Sequence, residues 1–401
     1  MLILGALASG ETRIFGLLEA DDVMATVAAL RAFGIEVGRT EEGHWRIVGG
    51  EWRSPSVPID CGNSGTSARL LIGAAAGFNL TAAFTGDESL RWRPMRRVRE
   101  PLEAMGARFE GGDTLPLTLQ GGGLRGIEHL NLPASAQVKS AILLAGLHAS
   151  GPVRVIEPQP SRDHSEIMLG AFGAEVTTRD GVVELGERRR LRGGRIDIWG
   201  DPSAAAFGWV TAAIVPGSSV ETRGVLVNPL RVGILDWLER MGADVTVPNP
   251  MRVSSEQISD VTVRHARLRA VEVPASAAPA MIDEYPLLAI AAAFAEGTSV
   301  FHGLGELRLK ECDRLAAISE GLAACGVAVS IDGDTLRVTG GVVPGGDVTT
   351  HGDHRIAMAF LVMGQAAQEP VSVDRAEMIA TSFPGFVAAM RGIGARIEES
   401  G

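Results

Sequence analysis

Residues Glu306 to Leu315 read Glu-Leu-Arg-Leu-Lys-Glu-Cys-Asp-Arg-Leu, with Lys310 and Arg314 four residues apart ahead of an apolar-periodic run, Leu315, Ile318 and Leu322. On a helix that spacing puts both on one face, so two cations are expected to point at one place. Glu311 sits beside them. Asp283, in Met281-Ile282-Asp283-Glu284-Tyr285, lies on a loop leading into a short apolar strand or helix, Leu287 to Ala295. Cations that hold phosphate or carboxylate, next to carboxylates that move protons, suit an anionic substrate. The same residues also fit a solvated helix face with internal ion pairs.

Other stretches offer matching chemistry. Cys61 to Leu70, Cys-Gly-Asn-Ser-Gly-Thr-Ser-Ala-Arg-Leu, is a glycine-rich loop running into an apolar helix, with good capping residues and backbone N–H groups suited to an anion. Arg91 to Arg97 gathers guanidiniums at a helix start, with Pro94 as a natural first-turn residue. Ser135 stands before the apolar helix Ala141 to Leu147, where it can serve as a cap. Ser161-Arg162-Asp163-His164 is a polar turn before another helix, and Thr350 to Met358 puts Asp353, His354 and Arg355 at a third. His354 could handle protons or belong to an N-capping cluster; Arg355 is the better ligand candidate. No His, Cys and carboxylate cluster has metal-ligand spacing, and no triphosphate-binding loop is present.

These residues need elements to hold them, and the chain repeats one. An apolar residue and glycine end a helix, and an alternating pattern then starts a strand, at Gly34, Gly106, Gly173, Gly242, Gly326 and Gly394. The intervals are 72, 67, 69, 84 and 68 residues. Each glycine is read as a left-handed helix C′ position, and most copies continue through a turn into a second strand, as at Trp45 to Val48, Leu115 to Leu119, Val182 to Leu185 and Thr335 to Val338. Six such units predict an α/β chain of two three-repeat domains, 1–199 and 200–401, divided near Ile198 to Pro202. The strand after Gly394 has no hairpin partner downstream, so the sixth repeat is expected to be incomplete.

Composition excludes several classes. A net charge of −11 without a long basic stretch argues against nucleic acid, so local cationic clusters serve small anions. Three scattered cysteines, Cys61, Cys312 and Cys325, build neither a disulfide framework nor a zinc site and fit a reducing cytoplasm. The longest clean apolar run, Tyr285 to Ala295, falls short of the roughly 20 residues that span a bilayer. Met1 to Ala8, Met-Leu-Ile-Leu-Gly-Ala-Leu-Ala, has no basic n-region and no cleavage site after it, so these residues are not expected to act as a targeting signal.

Taken in order, Asn63-Ser64-Gly65-Thr66, Arg93-Pro94-Met95, Ala134 to Ser140 (Ala-Ser-Ala-Gln-Val-Lys-Ser), Arg162-Asp163-His164, Met281 to Tyr285, Leu309-Lys310-Glu311 with Asp313-Arg314-Leu315, and Asp353 to Met358 resemble the 5-enolpyruvylshikimate-3-phosphate synthase family, in its bacterial branch with Met-Ile-Asp-Glu-Tyr. The resemblance runs from about Leu7 to about Arg396. It implies two domains, each of three β-α-β-α-β-β repeats in an inside-out α/β barrel, closing on substrates in the cleft between. It also implies transfer of the enolpyruvyl group of phosphoenolpyruvate to the 5-hydroxyl of shikimate 3-phosphate, with release of phosphate and no metal or organic cofactor, by a monomer. On the matching positions it implies that Asp283 is the base toward the 5-hydroxyl and that Glu311 with Lys310 handles protons near C3. Gly65, Arg93, Gln137, Arg314 and Arg355 are then expected around phosphoenolpyruvate, and Ser135, Ala136, Gln137, Arg162, Asp283 and Lys310 around shikimate 3-phosphate.

The family carries a Pro-Gly-x-Lys-Ser-x-Ser-x-Arg motif ahead of Ala6 to Gly10, and this chain starts just after it. The absent segment is expected to supply substrate contacts and a strand of the sixth repeat, so an inactive, weakly binding homologue is the alternative to an active enzyme. Thr381 stands where many members have lysine. Gly65 stands where glyphosate-tolerant members have alanine, which implies sensitivity to glyphosate. The related UDP-N-acetylglucosamine enolpyruvyl transferases would show a reactive cysteine between Pro101 and Gly123, and none is there.

Overall fold

In the computed structural model, which describes residues 1–253 and 256–399, all six repeat glycines hold positive φ, from 78° at Gly326 to 115° at Gly106. A side chain with a Cβ is strained in that region, so glycine is what lets each helix stop at once, and after all but Gly394 a strand soon begins. The chain divides into two compact units, Met1–Ile198 and Trp199–Gly401.

In Met1–Ile198, three four-stranded sheets repeat one pattern: a parallel pair, then an antiparallel hairpin added to its second strand. Ile59–Asp60 lies parallel to Thr81–Thr85, which pairs antiparallel with Leu117–Gln120, which pairs with Arg108–Gly111. Arg125–Leu130, Ser150–Ile156, Val182–Leu185 and Val176–Arg179 do the same. So do Arg195–Asp197, Gly10–Phe15, Trp45–Gly49 and Glu36–Arg39, with the parallel edge strand coming from the far end of the unit. Helices fill the connections, as a parallel pair requires a crossover.

Trp199–Gly401 follows the same scheme with losses at its ends. Its central sheet is complete, Glu272–Val273 parallel to Thr298–Phe301, then Thr335–Thr339 and Ala328–Asp332. In the sheet of Ser219–Leu226, Glu256–Arg264 and Asp244–Thr246, the parallel partner shrinks to a single bridge, Gly200 to Val225. The last sheet is the parallel pair Gly346–Val348 and Val371–Val373 alone. Among the described residues, the strand expected after Gly394 does not form, and residues 400 and 401 lie outside them. Gln365 serves Arg396 instead, its Nε2 donating to the Arg396 carbonyl at 3.2 Å and its Oε1 accepting from the Arg396 N–H at 2.8 Å, so a side chain meets the need of a backbone with no neighbouring strand.

Each unit has its own apolar core. Helices apolar all round line it: every residue of Tyr285–Ala293 is buried, as are Val138 to Gly146 of Ala136–Gly146. Leu287, Leu288 and Ile290 contribute at most about 1.5–3 kcal/mol apiece there. Among the described residues, no helix is long and apolar enough to cross a membrane.

The candidate motifs sit where these buried helices begin. Ser64, Ser135, Asp201, Asp313 and Asp353 each cap a helix by accepting a backbone N–H through the side chain. Two local expectations change as a result. The helix after Lys310 is Arg314–Ala324, capped by Asp313, while Lys310 has extended backbone following the 3-10 turn Gly305–Leu309. Lys310 and Arg314 therefore do not share a helical face. Pro94 likewise lies in the break between Glu88–Trp92 and Arg96–Met105, because Met95 is the residue that opens the second helix.

Candidate active site

In Trp199–Gly401, Lys310 and Arg314 still meet on one atom. Lys310 Nζ donates to Asp283 Oδ1 at 3.1 Å and Arg314 Nη1 donates to the same oxygen at 3.3 Å. Asp283 occupies the short link between Ala278–Met281 and Tyr285–Ala293, so the carboxylate is held from both sides. Arg314, 1% exposed, also reaches Asp353 Oδ2 through Nε at 2.7 Å and Glu311 Oε2 through Nη2. A buried guanidinium costs several kcal/mol unless its donors are met, and three carboxylates meet them. Burial works against its charge, but attraction from Asp353, Glu311 and Asp283 outweighs burial and raises its pKa.

Arg355, in the first turn of His354–Met363, anchors one end of its fork: Nη1 donates to the Asp283 carbonyl at 3.0 Å and to Glu284 Oε1 at 3.4 Å. Its Nε and Nη2 take no partner among the described residues, which leaves two donors for an incoming anion. His354 is 5% exposed and its pKa is lowered to about 4 by burial, so it is neutral at physiological pH. The N-capping cluster is the better description of that stretch, with Asp353 Oδ1 accepting from the Arg355 and Ile356 N–H groups.

In Met1–Ile198, two helix starts are tied together. Gln137 Nε2 donates to Thr66 Oγ1 at 2.7 Å, and Arg69 Nη1 donates to Gln137 Oε1 at 2.8 Å. Arg93, 7% exposed, reaches Asn63 Oδ1 at 2.8 Å and Ser89 Oγ at 3.2 Å. Gly65 sits under both guanidiniums: a Cβ there would stand 2.8 Å from Arg69 Nη1 and 3.2 Å from Arg93 Nη1. Gly65, Arg93 and Gln137 are thus brought together, with Asn63, Thr66 and Arg69. Ser135 caps the helix that Ala136 begins, accepting from Val138 N–H at 3.4 Å. Arg162 is half-buried on the turn after Ser161.

Below this surface lies a buried ion trio that holds Ser135 and the Arg162 turn. Lys139 Nζ is 2.7 Å from Glu157 Oε2 and 2.7 Å from Glu166 Oε1, and 3.4 Å from the Ser161 carbonyl. Glu157 Oε1 accepts from Ser161 Oγ at 2.6 Å and Asn131 Nδ2 at 2.7 Å, and Asn131 Nδ2 also donates to the Ser135 carbonyl at 3.1 Å. Lysine inside an apolar helical run is the signal that could have flagged it, since lysine is almost never fully buried unless paired. Arg69 and Arg231 carried no such signal. Arg231 meets its partners Asp201 and Ser203 across 30 and 28 residues of chain.

Burial pushes the Cys61 thiol up to about 12 and Cys325 up to about 11, and raises Cys312 as well, so the three stay protonated near neutral pH rather than forming the nucleophilic thiolate. Among the described residues, no three His, Cys, Asp or Glu side chains gather as a metal site needs.

Residues 1–390 match the family model described as EPSP synthase (3-phosphoshikimate 1-carboxyvinyltransferase). A 3-phosphoshikimate 1-carboxyvinyltransferase of Phenylobacterium zucineum is 55% identical over 406 residues, covering 99% of this chain and 90% of that one. One from Caulobacter vibrioides is 53% identical over 413 residues, covering 100% and 93%. Among solved structures, an EPSP synthase from Acinetobacter baumannii superposes with a TM-score of 0.87 at 39% identity, over 100% of this chain and 94% of that one. The enolpyruvyl transferase NikO from Streptomyces tendae, at 18% identity and a TM-score of 0.78, shares the fold. A match over nearly the whole chain, joined to relatives of more than half identity, makes this chain a member of the EPSP synthase (3-phosphoshikimate 1-carboxyvinyltransferase) family.

Proposed function

We propose that the chain transfers the enolpyruvyl group of phosphoenolpyruvate to the 5-hydroxyl of shikimate 3-phosphate and releases phosphate. The observation that carries the reading is the Asp283 carboxylate, oriented by Lys310 and Arg314 on one oxygen, with Glu311 on the same guanidinium. The reaction needs a proton removed from a hydroxyl as its oxygen attacks C2, and a proton delivered to C3. The tetrahedral intermediate then returns a proton from C3 and expels phosphate from C2. Asp283 takes the hydroxyl proton; Glu311, with Lys310, exchanges the proton at C3.

The anionic substrates need cations that stay charged. Arg314 and the outer donors of Arg355 suit the carboxylate and phosphate of phosphoenolpyruvate, as do Arg93 and Gln137 beside Gly65. Ser135, Ala136, Gln137 and Arg162, with Asp283 and Lys310, are the proposed ligands of shikimate 3-phosphate.

The test is phosphate release from the two substrates by the purified chain and by Asp283→Asn. Removing a general base costs on the order of 10²–10⁴ in kcat. Wild-type activity retained in a folded Asp283→Asn variant would overturn the role of Asp283, and no turnover by the folded wild-type chain would overturn the reaction.

A further inference from the structure

Arg355 is held on a carboxylate that is itself held, and the support continues one residue further back. We propose that Arg231, acting through Ser203 and Glu284, is a positioning residue that sets Arg355 for phosphoenolpyruvate. This rests on the reading of Arg355 given above.

Arg231 Nη2 donates to Asp201 Oδ1 at 3.0 Å and to Ser203 Oγ at 3.0 Å. A serine hydroxyl that accepts from a cation must turn its own hydrogen elsewhere, and Ser203 Oγ donates to Glu284 Oε1. Glu284 is 1% exposed, and its Oε2 is buried without a hydrogen-bond partner, so among the described residues its carboxylate is hydrogen-bonded through Oε1. That oxygen receives Ser203 and Arg355 Nη1, and the same Nη1 also grips the Asp283 carbonyl.

A buried carboxylate met on one oxygen alone sits near the limit of what its partners can support. Arg231 supplies the charge behind it. The side chain is 15% exposed, and although burial works against its charge, attraction from Asp201, Glu284 and Asp283 outweighs it. Asp201 fixes Arg231 in turn while capping Pro202–Ile214, so the arginine is anchored to the start of a buried helix. The path from that helix to Arg355 passes through four side chains, each in hydrogen-bond contact with the next. Without Arg231, Ser203 can rotate away, Glu284 loses a donor, and the inner end of the Arg355 fork is no longer held.

The experiment measures KM for each substrate, kcat and thermal unfolding in Ser203→Ala, Arg231→Met and Arg355→Met, and in Ser203→Ala combined with Arg355→Met. Ser203→Ala is the variant that keeps the fold, removing one oxygen. Loss of one charge-assisted hydrogen bond corresponds to roughly a tenfold rise in KM for phosphoenolpyruvate. KM for shikimate 3-phosphate is expected to hold within about twofold, and the double variant to be no worse than Arg355→Met alone.

An unmoved KM for phosphoenolpyruvate in Ser203→Ala, or effects that multiply in the double variant, overturns the relay while leaving Arg355 as a ligand. An unmoved KM in Arg355→Met overturns the ligand assignment and the relay with it. A rise shared equally by both substrates also overturns the relay, because it marks a general structural role.

Discussion

Replacing Lys139 with methionine isolates the buried trio in Met1–Ile198. The side chains of Lys139, Glu157 and Glu166 are 1%, 5% and 8% exposed, and both ion-pair distances are 2.7 Å. Methionine fills a similar volume, so little cavity arises, and the change leaves two carboxylates without their cation. Breaking a buried pair in this way costs about 3–5 kcal/mol. For a unit of this size that is a fall in Tm of roughly 10 °C. The loss also has a pH signature. Burial raises the Glu166 carboxyl above the usual range and outweighs the pull of Lys139. A carboxyl raised in the folded state gives stability that is fullest below its unfolded value, about 4.3, and that is lost as pH rises through the folded value. Without Lys139 the main attraction that offsets burial at Glu166 is gone and only a backbone hydrogen bond still lowers its pKa, so the deficit of Lys139→Met is expected to be larger at pH 8 than at pH 5. Adding Glu166→Gln should recover part of it. Because Glu157 carries Asn131 and Asn131 carries the Ser135 carbonyl, KM for shikimate 3-phosphate should rise with the loss of order. Thermal unfolding at the two pH values is the assay. A deficit under about 1 kcal/mol, the ordinary effect of a point substitution, or one equal at both pH values, would refute the reasoning.

Two further outcomes are expected. Gly65→Ala places a methyl group 2.8 Å from Arg69 Nη1 and 3.2 Å from Arg93 Nη1, the far ends of two flexible side chains, so folding is preserved while both guanidiniums shift. Inhibition assays should find the variant less sensitive to glyphosate, with a raised KM for phosphoenolpyruvate; equal inhibition of the two proteins would count against a ligand beside Gly65. His354, whose pKa is lowered to about 4, makes the unfolded chain the better proton acceptor between about 6.5 and 4, so stability is lost as pH falls through that window, by about 2 kcal/mol between pH 7 and 5. His354→Gln should flatten that fall in a chemical unfolding series and leave the pH profile of kcat above pH 6 unchanged; a kcat limb that disappears with His354 would mean that it carries a proton after all.

What the sequence makes legible depends on the range of the constraint. The repeat could be read because each glycine answers a local demand, a helix that must end in a left-handed turn, and that demand recurs at Gly34, Gly106, Gly173, Gly242, Gly326 and Gly394 without reference to anything distant. The buried helices could be read for the same reason, since an unbroken apolar run such as Leu287 to Ala293 needs no partner to announce itself. Local reading failed where two local demands competed. The four-residue spacing of Lys310 and Arg314 suggested a shared helical face, but Asp313 caps the helix between them, and a cap sets the boundary more strongly than a spacing does.

The convergence of Lys310 and Arg314 survives that error for a reason that no spacing contains: both donate to Asp283 Oδ1, across 27 and 31 residues of chain. The same distinction separates Arg355 from Arg231. Arg355 stands out in the sequence because it follows a capping aspartate at the start of an apolar helix. Arg231 stands in an ordinary loop, and its importance lies in Asp201, Ser203 and Glu284, which reach it only after the chain has folded. Residues that can touch a substrate therefore show themselves by type and local setting, whereas residues that hold them show themselves by shared acceptors. The search for positioning residues in this fold is accordingly a search for carboxylate oxygens that serve two donors, and Asp283 Oδ1 and Glu284 Oε1 both do, on neighbouring residues of one short link.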